Sequence, residues 1–285
     1  MTYTILQFMK QFPDDDSCLE HLFITKFGHP NDAHCTKCGE VGKLRKLTNM
    51  PAYTCNCGHH IHPMKDTPFE RSRTPLQKWF YALYLFTTTR HGVSAKELQR
   101  QLGVTYKCAW RIGHEIRKYM ADTDNDGNKL NGIVEVDETY IGGKRAGKRG
   151  RGADGKTVIF EMLKRDGNVI TKVVEDAKTK TLQPLIQQNI EAGTEIQSDE
   201  WFAYRTLNQQ GYTHQTVEHG KGEFAKNGVH VNALEGFWLH IKRGIRGTHI
   251  HVSKKHMSKY LGEFEYRYNM RKTPELMFNR LLASF

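Results

Sequence analysis

The chain has 285 residues, enough for a full core with one or two small accessory modules. Lys and Arg outnumber Asp and Glu by 42 to 31, a net charge of +11 that favours polyanionic partners, nucleic acid foremost. With 26% charged residues the composition reads as soluble and globular, and no apolar run comes near the ~18–20 residues a membrane helix needs. The opening MTYTILQFMKQFPDDDS has no cationic region ahead of its short apolar stretch, so no secretory signal and a reduced, cytoplasmic compartment are expected.

Residues 1–30 read as a helical lead-in ending at Gly28 and Pro30. Residues 31–65 are short, turn-rich and dense in Cys and His. There, HCTKCGE and YTCNCGHH place Cys35 and Cys38, then Cys55 and Cys57, in two knuckles with sixteen residues between them. In a reduced compartment such clustered thiols read as a tetrahedral structural Zn2+ site, a zinc ribbon, with a glycine beside each knuckle to let the backbone turn. The second knuckle is CxC, which leaves His59, His60 and His62 as alternative ligands. Four thiolates leave no open position, so no catalysis is expected there.

Residues 74–122 have helical periodicity, with Thr74 and Pro75 as a start signal. SAKELQRQLGVTYKCAWRIGHEIRKYM has the layout of a helix-turn-helix, with Gly103 at the turn. Its second helix carries Lys107 and Arg111, with Arg117 and Lys118 further on, as cations for DNA.

After a break at TDNDGNKLNG the texture of residues 130–285 becomes mixed α/β. GIVEVDETYIGG alternates as a strand, with Glu135, Asp137 and Thr139 on one face. KTVIFEMLKRDGNVITKVVED reads as two strands around an Asp-Gly turn. A helix, the short strand TEIQSDE, a further strand and more helices follow, which predicts a mixed sheet. Asp199 falls where that short strand becomes loop, a frequent position for functional groups in such sheets. In VNALEGFWLHIKRG, helical spacing puts Asn232, Glu235, Leu239 and Lys242 on one side. Asp137, Asp199 and Glu235 form an all-oxygen set of the kind that holds Mg2+ (or Mn2+) for phosphoryl transfer. Two basic stretches flank this set. GGKRAGKRGRGADGK supplies Lys144, Arg145, Lys148 and Arg149, and KRGIRGTHIHVSKKH supplies Arg243 and Arg246.

This order of motifs, from the Cys knuckles to SDE and EYRYNMR, resembles bacterial insertion-sequence transposases of the ISXO2-like type over residues ~15–280. The resemblance implies a zinc ribbon, a helix-turn-helix and a ribonuclease-H-like DDE catalytic domain of mixed-sheet α/β fold. It implies cutting and joining of double-stranded DNA at terminal inverted repeats, with Asp137, Asp199 and Glu235 as metal ligands. Lys242, seven residues after the glutamate, matches a basic residue that contacts DNA near the scissile end. Some members carry asparagine as the third metal-site residue, so Asn232 stands as the alternative to Glu235. Pairing two element ends implies a homodimer or larger assembly on target and element DNA, in the bacterial cytoplasm at the nucleoid. A DNA-binding regulator without catalysis, and a nuclease that cuts without joining, are the rival readings.

Overall fold

The computed structural model describes residues 3–124, 127–142, 156–218, 225 and 228–285. Two compact units emerge, one made of Met1–Tyr119 with Thr273–Phe285, the other of Met120–Lys272.

The first unit opens with α1 (Ile5–Gln11) and α2 (Asp15–Phe27). Thr4 and Asp14 cap them by accepting the N–H groups of Gln7 and Ser17, donors that the first turn would otherwise leave unpaired. Three short antiparallel strands follow, β1 (Leu44–Lys46), β2 (Tyr53–Cys55) and β3 (His60–Ile61). They are too small to bury a core alone. Phe23 of α2 covers them, stacked 3.9 Å from the Tyr53 ring, with Leu44 and Ile61 alongside. Helix α3 (Leu76–Thr88) starts after Pro75, which takes the cap position itself, so Thr74 lies one residue outside it. Ser94 caps α4 (Ala95–Leu102), and Gly103 ends it at φ 59°, a left-handed turn into α5 (Tyr106–Thr123).

The second unit is built on a five-stranded sheet. Its elements are β4 (Ile133–Gly142), β5 (Lys156–Lys164), β6 (Val169–Val174), α6 (Thr179–Asn189), β7 (Glu195–Asp199), β8 (Thr213–Val217), α7 (Asn232–Gly244) and α8 (Lys254–Asn269). Strand order is β6-β5-β4-β7-β8, with β4, β5 and β6 antiparallel and β7 and β8 parallel to β4. The Asp-Gly turn between β5 and β6 is present, with Asp166 at φ 57°. Alternation along β4 sends Val134 and Val136 to a core beneath α6, with Phe160, Leu182 and Ile186. The opposite face, through Ile159 and Leu163, packs against Phe237, Trp238 and Ile241 of α7 and Phe264 of α8. Trp238 is therefore a core residue. Gly262 lets α8 approach the end of α5, since a Cβ there would fall 2.3 Å from that of Ala121.

Helix α9 (Met277–Ala283) belongs to the first unit, whereas the sequence reading carries the second domain to residue 285. The cause is aromatic: the Phe278 ring lies 5.7 Å from Phe12 and 6.0 Å from Phe80. Among the described residues no helix is long and apolar enough to cross a membrane.

Candidate catalytic site and metal centre

The two cysteine knuckles close on one point. The ligand atoms of Cys35, Cys38, Cys55 and Cys57 all lie within 4.8 Å of one another, with no histidine in the group. The Cys35–Cys57 and Cys38–Cys55 sulfur pairs are 3.7 Å and 3.6 Å apart. A tetrahedron with arms of ~2.3 Å has edges of about 3.8 Å, so the spacing suits a Zn–thiolate centre. Gly39 and Gly58 take positive φ and donate their N–H groups to the carbonyls of Cys35 and Cys55, which turns each knuckle. The backbone N–H groups of Cys38 and Lys37 aim at Cys35 and hold its thiol down, at about 6. Amides also reach Cys38 and Cys55, from Glu40 and Cys57, yet burial and then the neighbouring thiols leave Cys38 raised to about 12. Four thiolates gathered this closely repel one another, and a divalent cation at their centre offsets that repulsion. His59 is engaged elsewhere, 3.0 Å from the Thr36 hydroxyl.

The acids gather on the α7 face of the sheet. Strand β7 runs parallel to β4 in the register Ile133↔Glu195, Val134↔Ile196, Glu135↔Gln197. Two residues further along, the same offset sets Asp137 level with Asp199, on neighbouring strands ~4.8 Å apart and on the same face. The Asp137 carboxyl is pushed up to about 7, by burial first and then by the charges of Glu138 and Asp199. Against this, the Glu138 N–H donates to Asp137 Oδ1 at 2.7 Å. The buried indole N–H of Trp238 also eases the charge, as a dipole directed toward Asp137 rather than as a formed hydrogen bond. Asp199 accepts the Trp201 N–H at 2.9 Å, which fixes its carboxylate at the strand end.

Glu135, one pleat behind Asp137, has a different job. Its Oε2 accepts the Leu234 N–H at 3.1 Å, at the start of α7, where the helix dipole favours an anion. Its Oε1 accepts from Arg165 at 2.9 Å, and Arg165 also donates to Gln197 Oε1 at 2.8 Å. Gln197 in turn accepts the His230 N–H at 2.9 Å. Strands β4 and β7 thus both grip the start of α7, and that grip orients the helix bearing Glu235.

Glu235 is exposed on α7, as is Asn232 one turn before it. Burial pulls down the pKa of the Lys242 ammonium, half-buried two turns on, while the charges of Asp137, Glu161 and Glu235 oppose that shift. Arg243 and Arg246 are exposed beyond it. A further acid belongs here that the motifs do not mark: Glu161, whose visible signal is a lone acid within the apolar run TVIFEML. It pairs with Asp137 across β4–β5, is fully buried, and neither carboxyl oxygen has a hydrogen-bond partner. Burial and then the Asp137 charge push it well above the usual carboxylate range. Among the described residues, the carboxylates of Asp137, Asp199 and Glu235 do not lie within 4.8 Å of one another as a set. Asp137 and Asp199 share a face of the sheet, and Glu235 stands on the helix that covers it; oxygen donors of this kind fit Mg2+ or Mn2+.

Lys107 and Arg111 are exposed on the first turns of α5, with Arg111 lying 5.3 Å from the centre of the Trp79 ring. Arg117 departs from expectation: it is 1% exposed, donates to the Val93 carbonyl at 2.7 Å and sits over the Phe86 ring. Its role is to tie α5 to the loop before α4, and it is unavailable to DNA. Lys144, Arg145, Lys148 and Arg149 lie outside the described residues.

Residues 129–269 match the family model of the ISXO2-like transposase domain. The chain belongs to this transposase family. The transposase is 26% identical over 264 residues to an uncharacterised protein in the transposable element ISH50 of Halobacterium salinarum, covering 86% of this chain and 88% of that one. It is 30% identical over 101 residues to a transposase-like protein of Haemophilus influenzae, covering 35% of this chain and 80% of that one. Among solved structures, a pre-cleavage Mos1 transpososome is similar at 14% identity with a TM-score of 0.30, over 72% of this chain and 78% of that one. The Mos1 strand transfer complex gives 13% and 0.26, over 72% and 77%.

Proposed function

We propose that this transposase cuts DNA at its element's ends and joins the freed ends to target DNA, with Asp137, Asp199 and Glu235 as the metal-holding carboxylates of a ribonuclease-H-like DDE site. The observation that carries this reading is the placement of Asp137 level with Asp199 on adjacent parallel strands, with Lys242 of α7 close enough to feel the charge of Asp137. The sheet order, with β4 central, the antiparallel meander β4-β5-β6 on one side and β7 and β8 parallel to β4 on the other, supports the ribonuclease-H-like assignment. A bound Mg2+ (or Mn2+) would activate the attacking oxygen and steady the leaving one at an in-line phosphodiester displacement.

The chain's own residues do the rest. Asp137 and Asp199 present carboxylates from rigid strand positions, and the Glu135–Arg165–Gln197 network fixes the start of the helix that carries Glu235. Lys242 balances the acids and is placed to hold a phosphate of the bound strand. Glu235 rather than Asn232 serves as the third group, because the 35 residues between Asp199 and Glu235 and the lysine seven positions after it both fit the family's pattern. Attack by water frees a 3′-OH, and attack by that 3′-OH on target DNA repeats the same displacement, so one site serves both steps. The four thiolates hold a structural Zn2+, and Lys107 and Arg111 of the helix-turn-helix, with Lys144, Arg145, Lys148, Arg149, Arg243 and Arg246, contact double-stranded DNA at the terminal inverted repeats or the target. Two ends require a homodimer or larger assembly, acting on DNA in the bacterial cytoplasm.

The test is a strand-transfer assay with labelled duplexes carrying the flanking inverted repeats, in Mg2+. The wild type should cut and join, while Asp137→Ala and Asp199→Ala bind ends without cutting. Joining retained by either variant overturns the assignment of the acids. Cutting without joining would leave a nuclease, and binding alone a regulator.

A further inference from the structure

Helix α7 does not stop at Gly244 but widens into a π-helical turn, Ile245–His249. Such turns are rare and cluster at functional sites. Directly after it, Ile250 has φ 64° and ψ −51°, and the His251 N–H donates back to the His249 carbonyl at 2.7 Å. This is the strained form of γ-turn, the mirror image of the common one. A β-branched residue is the least suited to that backbone, and such strain persists only where the surroundings impose it. Ile250 is also 77% exposed, so its side chain gains no burial in return.

The surroundings are basic. Ile250 lines a groove of about 680 Å3 with Tyr140, Lys156, Lys242, Arg246 and His251. Helix α8 then begins with Lys254 and Lys255, cations at a helix end whose dipole favours anions. A phosphate there would satisfy both. The groove adjoins the acids: Lys242 belongs to both, and Ile141, which also lines it, lies four residues past Asp137 on the same face of β4, about 13 Å by strand rise. A single exposed isoleucine is ordinary. An isoleucine held outward by a strained turn among cations is not.

We propose that Ile250 is a wedge that enters the base stack of the element end next to the scissile phosphate, while Lys156, Arg246 and the start of α8 hold phosphates on either side. The inference rests on the reading of the site as one that cuts DNA ends. Apolar side chains inserted at base steps unstack them, and the cost of unstacking is offset by the added grip on phosphates that a bent strand allows. A strand opened at that step can bend toward the acids in a way a stacked duplex cannot. The partner is DNA, because the wedge lies between cations and needs a stack to enter.

The experiment uses the full chain and duplex inverted repeats with 2-aminopurine at the pairs flanking the cleavage site. Wild type should raise the fluorescence on binding. Ile250→Ala should lose that rise and cut about tenfold more slowly or worse, with end affinity changed less than about threefold. Its cutting should recover on ends carrying a mismatch at the same step, which are already unstacked, and Ile250→Val should resemble wild type. Wild-type fluorescence and cutting in Ile250→Ala overturn the wedge, as does a cutting defect that a mismatch leaves unrepaired. If wild type leaves every end uncut, the reading of the acids fails, and dependence of the fluorescence rise on Ile250 still decides the wedge.

Discussion

Asp137 and Glu161 face each other across the β4–β5 ladder, two carboxyls on one side of the sheet with Lys242 as their shared counter-charge. Burial pushes both up, and neither Glu161 oxygen is hydrogen-bonded. A folded state carrying so much uncompensated carboxylate should take up a divalent cation that the unfolded chain does not. In zinc-loaded protein, Mg2+ or Mn2+ at about 100 times its Kd is expected to stabilise by ~2.7 kcal/mol, read as a rise in Tm. Asp137→Asn and Asp199→Asn should remove the metal-dependent part of that rise; an unchanged rise would place the cation elsewhere.

Glu135 anchors α7 through Arg165 and the Leu234 N–H. Truncating one partner of a buried ion pair leaves the other charge uncompensated, which costs roughly 3–5 kcal/mol. Glu135→Ala should lower the urea midpoint accordingly and also abolish end cutting, since Glu235 rides on the released helix. Full cutting activity in a measurably destabilised variant would separate the anchor from the site.

That division of labour is hidden in the sequence. Glu135, Asp137 and Thr139 alternate onto one face in VEVDETYIGG, and the structure keeps them there, but alternation cannot say which acid meets a helix end and which meets a neighbouring acid. The short apolar strands and the Asp-Gly turn are readable because their signals are local. Arg117 misleads because a cation on a helix looks the same whether it faces solvent or the Val93 carbonyl. The return of α9 and the burial of Glu161 depend on residues far apart in sequence, which periodicity does not carry.

Glu265 of α8 accepts both the N–H and the hydroxyl of Thr171, at 3.0 Å and 2.6 Å. Burial nevertheless outweighs these bonds and raises the carboxyl from 4.5 to about 7. The folded protein therefore holds a proton that the unfolded chain releases between those values, so this group's contribution to stability is present below pH 4.5 and lost as pH rises through 7. Relative to wild type, Glu265→Gln should gain about 3 kcal/mol between pH 4.5 and 8. Parallel stability–pH curves for the two would refute the burial argument.

At the γ-turn, Ile250→Gly removes the clash of a branched side chain with a positive φ. The relief should stabilise the second unit by about 1 kcal/mol, measured by urea denaturation. End cutting should fall in the same variant, so that stability and activity move in opposite directions. A destabilised Ile250→Gly would mean that the turn is not strained.

The cysteine cage predicts stoichiometric zinc in purified protein. Cys38→Ser removes one thiolate of four and should release the metal on mild chelation, together with the order of β1–β3, whose small core cannot stand alone. Retention of zinc by Cys38→Ser would require a ligand outside the four sulfurs.

The placement of α9 bears on how the protein is made. The unit carrying the cysteine cage and Lys107 is discontinuous, its aromatic core shared among Phe8, Phe12, Phe80 and Phe278. A chain emerging from the ribosome N-terminus first can assemble the sheet and its acids before Phe278 has left the exit tunnel. The unit begun earliest is finished last. Premature termination before α9 would thus yield intact carboxylates attached to an unfinished partner, a product poorly equipped to find the ends on which those carboxylates act.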